Sequence, residues 1–285
     1  MERITTDTPW WLSKGESGPK VAQELPISSI LQIISGAGMA TEPEPQKRLV
    51  DRLLASLQQD EFVLYAQSIM PLAPQSNERP FQEIFIRFKE EDAKLLPPGT
   101  FFPVLEECQL LPYLDRWVAN RLANWVSNAV GLRPDWAVPR SNVNVSAATL
   151  ADPDYGQYVC KFVDDSSLSN GALGFEIALD SAIAHETSWR KLMAKVKPFG
   201  CSFTLSGFDG SDASFTVLKA LAPNFVKISI ASVSSGKLAQ IHRTCQALGI
   251  KTIVEHVESN QVLQQLRQSG INFAQGFEVS PVQPL

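Results

Sequence analysis

From about residue 46 onward, short apolar or alternating runs take turns with longer segments, most of them of helical period. The runs are Phe62–Gln67, Phe81–Phe88, Asn142–Val145, Leu173–Ala178, Cys201–Leu205, Phe225–Ile230, Thr252–Val254 and Phe273–Phe277. Their length and their β-branched and aromatic content suit strands. Between them Phe102–Ala129, Ser214–Ala220, Lys237–Leu248 and Gln261–Gln268 carry helical patterns. Ahead of the first run, Gln46–Gln58 sets Leu49, Val50, Leu53, Leu54 and Leu57 on one face of an amphipathic helix. Strand and helix alternating eight times predicts an α/β chain folded as a (β/α)8 TIM-like barrel. A doubly wound open sheet is the alternative, and the absence of a Gly-x-Gly-x-x-Gly after any run counts against it.

Residues 1–45 read differently and are expected to form an N-terminal arm or short helical extension to a main domain of residues 46–285. Prolines and glycines punctuate this stretch around one apolar segment, Ile27–Ile34. Exposed, its paired Trp10 and Trp11 would be costly, so the arm is expected to dock on the main body or on a partner.

Composition narrows the function classes. A net charge of −5 with dispersed Lys and Arg argues against a nucleic-acid polymer as partner. No run of about 18 apolar residues predicts membrane insertion and no leader pattern opens the chain, so a cytoplasmic protein is expected. The four cysteines lack a Cys-x-x-Cys, which suggests free thiols, and the three histidines lack metal-site spacing.

In a barrel the site lies at the carboxyl ends of the strands, so the polar residues in or just after the runs are the candidates. They are Gln67, Glu83, Asn144, Glu176, Ser206, Lys227, Glu255 and Gln275. Within Glu83-Ile-Phe-Ile-Arg87, alternation places Glu83, Phe85 and Arg87 on one face and Ile84 and Ile86 on the other. Clustered carboxylates repel unless a cation neutralises them, so this set points to a metal or phosphate site.

These residues also carry a family resemblance. From about Gln46 to the C-terminus the chain resembles an EAL domain, whose active members hydrolyse the second messenger cyclic di-GMP. Glu83-Ile-Phe-Ile-Arg87 is similar to the family's Glu-x-Leu-x-Arg, and Tyr65-Ala-Gln67-Ser-Ile69 to the Tyr-x-Gln-Pro-Ile before it. Pro98-Gly99-Thr-Phe-Phe-Pro103, Glu106-Glu107, Leu114-Asp115-Arg-Trp117, Val143-Asn144-Val145-Ser146 and Asp152-Pro153 follow in the family's order. Phe175-Glu176-Ile-Ala-Leu179, Val226-Lys227-Ile-Ser229, Val254-Glu255-His-Val-Glu258 and Gln275-Gly276-Phe277 complete it.

The departures bear on activity. Where the resemblance implies an Asp-Asp pair binding the catalytic metals, this chain has Ser206 and Gly207; Asp209 lies two places beyond the motif's second aspartate. Leu179 and Ser229 replace two further acids of the family pattern. Hard divalent cations need anionic oxygens, so loss of two carboxylates is expected to empty at least one metal site, with Glu83, Asn144, Glu176 and Glu255 left as relic ligands.

The resemblance therefore implies no catalytic residues and no metal cofactor. Gln67, Glu83, Phe85, Arg87, Asn144, Glu176, Lys227, Glu255, Gln275 and Phe277 become the suspected cyclic di-GMP-binding set. Arg87 would contact a phosphate, Gln67 and Gln275 would flank the ligand, and Phe85 or Phe277 would offer a face to guanine. Glu83, Glu176 and Glu255 would lean on Lys227, or these four form only a buried salt-bridge network.

Three functions stay open. One is an inactive EAL domain that receives cyclic di-GMP and signals through an unidentified protein partner, with a homodimer possible, in motility, pilus or biofilm control. The second is a nucleotide-free protein-interaction module on the same scaffold, and the third a residual phosphodiesterase.

Overall fold

In a computed structural model, residues 61–73, 78–89, 95–132, 137–165, 168 and 171–285 are described, with residues 52, 53, 55 and 56. The expected arm of residues 1–45 lies outside them. Of the helix expected over 46–58, residues 52, 53, 55 and 56 are helical and Leu53 is fully buried.

The strands are β1 (Phe62–Pro71), β2 (Phe81–Lys89), β3 (Leu95–Leu96), β4 (Ser141–Asn144), β5 (Leu173–Ala178), β6 (Ser202–Ser206), β7 (Phe225–Ser229), β8 (Lys251–Glu255), β9 (Phe273–Ala274) and β10 (Gln283–Pro284). The helices are α1 (Pro98–Glu107), α2 (Leu111–Leu132), α3 (Ala147–Ala151), α4 (Tyr155–Asp165), α5 (Leu179–Ala184), α6 (Glu186–Val196), α7 (Asp212–Leu221), α8 (Ser235–Ala247) and α9 (Asn260–Gln268). Eight strands close a barrel in the order β1-β2-β4-β5-β6-β7-β8-β9, and β9 returns to β1. The short β3 and β10 extend β2 and β1 at the rim.

The barrel is the expected one, with two local differences. No helix separates β1 from β2; they pair antiparallel, with Gln67 opposite Glu83 and Tyr65 opposite Phe85. β1 also runs antiparallel to β9, whereas β2 and β4 through β9 are parallel. The helix expected over Phe102–Ala129 is two helices. They are separated at Gln109, whose φ of +56° lets the Leu110 N–H bond the Leu105 carbonyl at 2.7 Å and turn the chain.

Serines start the helices that leave the barrel mouth. Ser146, Ser211, Ser234 and Ser259 each accept from the N–H three residues on, at 3.2, 3.2, 3.3 and 3.4 Å. Each such cap contributes about 1 kcal/mol and fixes where its strand-to-helix loop ends.

Alternation along the strands divides the core in two. Outward residues such as Val143, Phe175, Ile177, Phe203, Leu205, Val226, Ile228 and Val254 pack against the helices in the main hydrophobic cluster. A second cluster, with Phe62, Phe88, Phe101 and Leu105, lies beneath α1. Inside the barrel, Ile69, Phe81, Phe225, Ile253 and Phe273 form a separate apolar floor. Its three phenylalanines have ring centroids 5.1 to 5.8 Å apart. Two residues further along the same strands the interior becomes polar.

Candidate functional site

The step from floor to polar layer is one repeat of the strand period. Phe81 is followed at i+2 by Glu83, Phe225 by Lys227, and Phe273 by Gln275, all pointing inward. Lys227 is fully buried, and its ammonium donates to Glu83 Oε2 at 2.7 Å and to Glu176 Oε1 and Oε2 at 2.8 and 2.6 Å. Asn144 Nδ2 donates to Glu83 Oε1 at 3.0 Å, and Gln275 Nε2 donates to Glu83 Oε2 at 2.8 Å. Glu83 thus accepts from three side chains, on β4, on β7 and just after β9.

The electrostatics follow from this wiring. Burial alone would raise Glu83, but the Lys227 charge and the bonds from Lys227, Asn144 and Gln275 outweigh it and hold its carboxyl below the usual range. Burial, then the neighbouring Glu83 charge, pushes Glu176 up to about 8 against the pull of Lys227. Burial opposes the charge on Lys227, yet Glu176, Glu83 and Glu255 together hold it above the ordinary lysine value.

Above this layer the barrel opens. Gln67, Glu83, Phe85, Glu255, His256, Glu258, Gln275, Gly276, Phe277 and Val282 line a cleft of about 220 Å³. Gln67 Nε2 donates to the Ser280 carbonyl at 2.9 Å, tying β1 to the C-terminal segment. Phe277 is 68% exposed, the most exposed large apolar side chain of the rim. Arg87 lies with its guanidinium carbon 5.7 Å from the Tyr65 ring centroid and 5.9 Å from that of Phe85. Its Nη1 donates to the Ile86 carbonyl at 2.9 Å, and its charge meets no carboxylate among the described residues. The buried Gln275 Oε1 has no hydrogen-bond partner among the described residues.

The structure therefore brings together all ten of the ligand-set residues named from sequence, in two shells. Glu83, Glu176, Lys227 and Gln275 form the buried network, and the exposed Asn144 joins it through its bond to Glu83. Gln67, Phe85, Glu255 and Phe277 line the mouth above it, and Arg87 stands against Phe85. The buried salt-bridge network weighed for Glu83, Glu176 and Lys227 exists; Glu255 is half-buried and faces the cleft.

Ser206 and Gly207 lie at the end of β6. The Ser206 hydroxyl donates to the Ile177 carbonyl at 3.3 Å, and Gly207 takes a φ of +69°. Phe208 turns back into the core and its N–H bonds the Lys227 carbonyl at 3.1 Å. Asp209 is exposed and its Oδ1 accepts from the Ser211 N–H at 2.9 Å, which commits it to the start of α7. The metal pair implied by the family resemblance does not fit this donor set. Both buried carboxylates are engaged by Lys227, the one carboxylate of the β6 loop, Asp209, is exposed and turned to the start of α7, and among the described residues no group of three or more His, Cys, Asp or Glu is placed to hold a metal ion.

Two features of the mouth escaped the sequence reading. His256 is exposed, lines the cleft at a φ of +61° and pairs its Nδ1 with Ser229 Oγ at 3.2 Å. Gly276 has a φ of +152° and packs so closely that a Cβ there would sit 2.2 Å from the Val257 carbonyl oxygen. Histidine tolerates positive φ better than most residues, and a Gly between Gln275 and Phe277 was the available signal for the second.

Comparison with known proteins gives the fold a family. The chain is 27% identical over 242 residues to the cyclic di-GMP phosphodiesterase PdeB of Shewanella oneidensis, covering 82% of this chain and 28% of that protein. It is 23% identical over 245 residues to the cyclic di-GMP phosphodiesterase PdeF of Escherichia coli, covering 83% and 32%. The chain thus spans about a third or less of the length of these curated relatives. Among solved structures, the FimX EAL domain of Xanthomonas citri in complex with c-di-GMP superimposes with a TM-score of 0.74 at 23% identity, covering 85% of this chain and 96% of that one. The Pseudomonas aeruginosa FimX EAL domain bound to c-di-GMP gives 0.72 at 22%, covering 82% and 96%. Among the described residues no helix is long and apolar enough to cross a membrane. With residues 50–282 matching the EAL domain along the whole barrel, the chain belongs to the EAL domain family.

Proposed function

We propose that the chain is a cyclic di-GMP receptor that does not hydrolyse its ligand and passes the bound state to a protein partner. The observation that carries this reading is the placement of Lys227. Its ammonium occupies the space between Glu83 and Glu176, so the carboxylates that would recruit a metal are already neutralised. With Ser206 and Gly207 following, no cation is held where a hydroxide could be generated near neutral pH. A phosphodiester without such a nucleophile is hydrolysed too slowly to count as turnover.

Binding makes fewer demands. Arg87 offers a planar fork suited to two phosphate oxygens, Phe277 and Phe85 offer apolar faces for a purine, and Gln67 and Gln275 supply amides at the mouth. The cleft of about 220 Å³ is smaller than the ~300–1,000 Å³ that encloses a drug-sized ligand, so one base enters it and the remainder lies across the open rim. Relatives of the same fold, the two FimX EAL domains, were solved with this dinucleotide bound, which supports the ligand class.

Calorimetry with cyclic di-GMP in magnesium and in EDTA tests the receptor reading. Equal affinity in both buffers is expected, and binding that disappears with EDTA refutes it. Overnight incubation with manganese followed by chromatography tests inactivity: linear dinucleotide formed at enzyme-level rates would instead favour a phosphodiesterase.

A further inference from the structure

A second cavity, of about 350 Å³, lies at the opposite, amino-terminal end of the barrel, beneath the apolar floor. Arg140, the residue before β4, borders it together with Phe225 at the start of β7 and Lys251 at the start of β8. The Arg140 guanidinium carbon lies 4.0 Å from the Phe81 ring centroid and 4.6 Å from that of Phe225, so the floor's aromatic rings hold it in place. Among the described residues none of its guanidinium nitrogens makes a hydrogen bond or ion pair, and the buried Nε is one of them. Most backbone donors of the wall are spent, and the Asn224 amide is held through its Oδ1, which accepts from the Phe203 N–H at 2.9 Å. The N–H groups of Ala222, Asn224, Gly249, Ile250 and Lys251 bond the carbonyls of Leu218, Phe203, Gln246, Cys245 and Asn224. The Lys251 ammonium pairs with Glu78 on the rim.

A half-buried guanidinium held flat by two rings with its donors unused is a costly arrangement unless something accepts from it. We propose that this cavity is an anion site in which Arg140 receives the phosphate or carboxylate group of a small molecule. The two classes share the feature that matters, a pair of oxygens spaced for the guanidinium fork. The charges facing Arg140 set the strength. Lys251 adds to the attraction, whereas Glu78 opposes it, as do the C-terminal ends of α7 and α8, which close on the cavity at Ala222 and Leu248 with partial negative charge. The site is therefore weak, with half-saturation on the order of 1 mM.

The test reads the arginine Nε–H resonances of the full ¹⁵N-labelled chain while inorganic phosphate, and in a parallel arm succinate, is added at constant ionic strength. The Arg140 signal is identified by its loss in Arg140→Lys. It is expected to shift saturably with at least one of the two anions, and the arm that saturates names the class. Glu78→Gln removes the opposing charge and lowers the midpoint severalfold, and it carries the test by itself should Arg140→Lys fail to fold. Arg87→Ala, at the other end of the barrel, leaves the titration unchanged. An Arg140 signal indifferent to both anions, a weaker midpoint in Glu78→Gln, or a response lost in Arg87→Ala overturns the assignment. None of these outcomes depends on whether the carboxyl-end cleft binds cyclic di-GMP.

Discussion

Replacing Lys227 by Met should be among the most damaging single changes in the barrel, and its cost should depend on pH. The methionine fits the volume of the lysine stem but leaves Glu83 and Glu176 buried, with side chains 7% and 4% exposed, and without the ammonium that both accept from. Removing one partner of a buried ion pair costs about 3–5 kcal/mol, a large part of a typical stability of about 5–15 kcal/mol. For a domain of this size the melting temperature should fall by on the order of 10 °C.

The pH dependence follows from linkage. In the native chain Glu83 is held low, so its contribution is present above the ordinary carboxyl value of 4.5 and is lost as pH falls. Glu176 is held up to about 8, so its contribution is full below 4.5 and is lost as pH rises toward 8. Without Lys227 both carboxyls move upward, and keeping either one ionised becomes more costly. The penalty of Lys227→Met should therefore be smaller at pH 5 than at pH 8.5. Urea unfolding at both values, with Glu83→Gln and Glu176→Gln added to the Lys227→Met chain as a rescue, measures it. A cost under about 1 kcal/mol at pH 8.5, a larger cost at pH 5, or no recovery in the triple variant would refute the charge-compensation argument.

Arg87→Ala should weaken cyclic di-GMP binding by about ten- to a hundredfold, the loss of a charge-assisted contact of roughly 1.5 to 3 kcal/mol, as read by calorimetry. Affinity should fall as pH rises through about 8, where Glu176 loses its proton beneath an anionic ligand, and Glu176→Gln should flatten that profile. Gly276→Ala forces a Cβ to within 2.2 Å of the Val257 carbonyl oxygen, so thermal melts should show a loss of about 1–3 kcal/mol together with weaker ligand binding as Phe277 shifts.

The two-residue period of the strands makes most of this arrangement legible in the sequence. Once Phe81, Phe225 and Phe273 are taken as inward, Glu83, Lys227 and Gln275 must be inward too, one layer higher, and their mutual neutralisation is a matter of charge. Strand direction is not encoded in that period. The expected first strand stopped at Gln67 and left thirteen residues, 68–80, before the next, enough to imagine a crossover. The strand in fact runs to Pro71, and the nine residues 72–80 are too few for a parallel return, which is why β1 and β2 form an antiparallel pair. The break at Gln109 was hidden for a related reason, since the apolar residues on either side keep a helical spacing across a turn made by backbone bonds alone.

Residues whose roles depend on what lies across the barrel stayed invisible. Arg140 stands two places after Val138 in a segment that reads as a loop, and nothing local says that two phenylalanines from strands 59 residues earlier and 85 residues later will stack on it. The same holds for His256, whose left-handed backbone follows directly from the need to leave β8 and reach the rim beside Ser229. Both ends of the barrel thus carry a cation on an aromatic shelf, Arg87 on Tyr65 and Phe85 above, and Arg140 on Phe81 and Phe225 below. Phe81 and Phe85 are inward positions of one strand, separated by Glu83. The strand that supplies the recognisable Glu-x-x-x-Arg signature is consequently also the strand that links the two ends. A change in its tilt would alter the seating of both guanidiniums while Glu83, fixed by three donors, holds its centre.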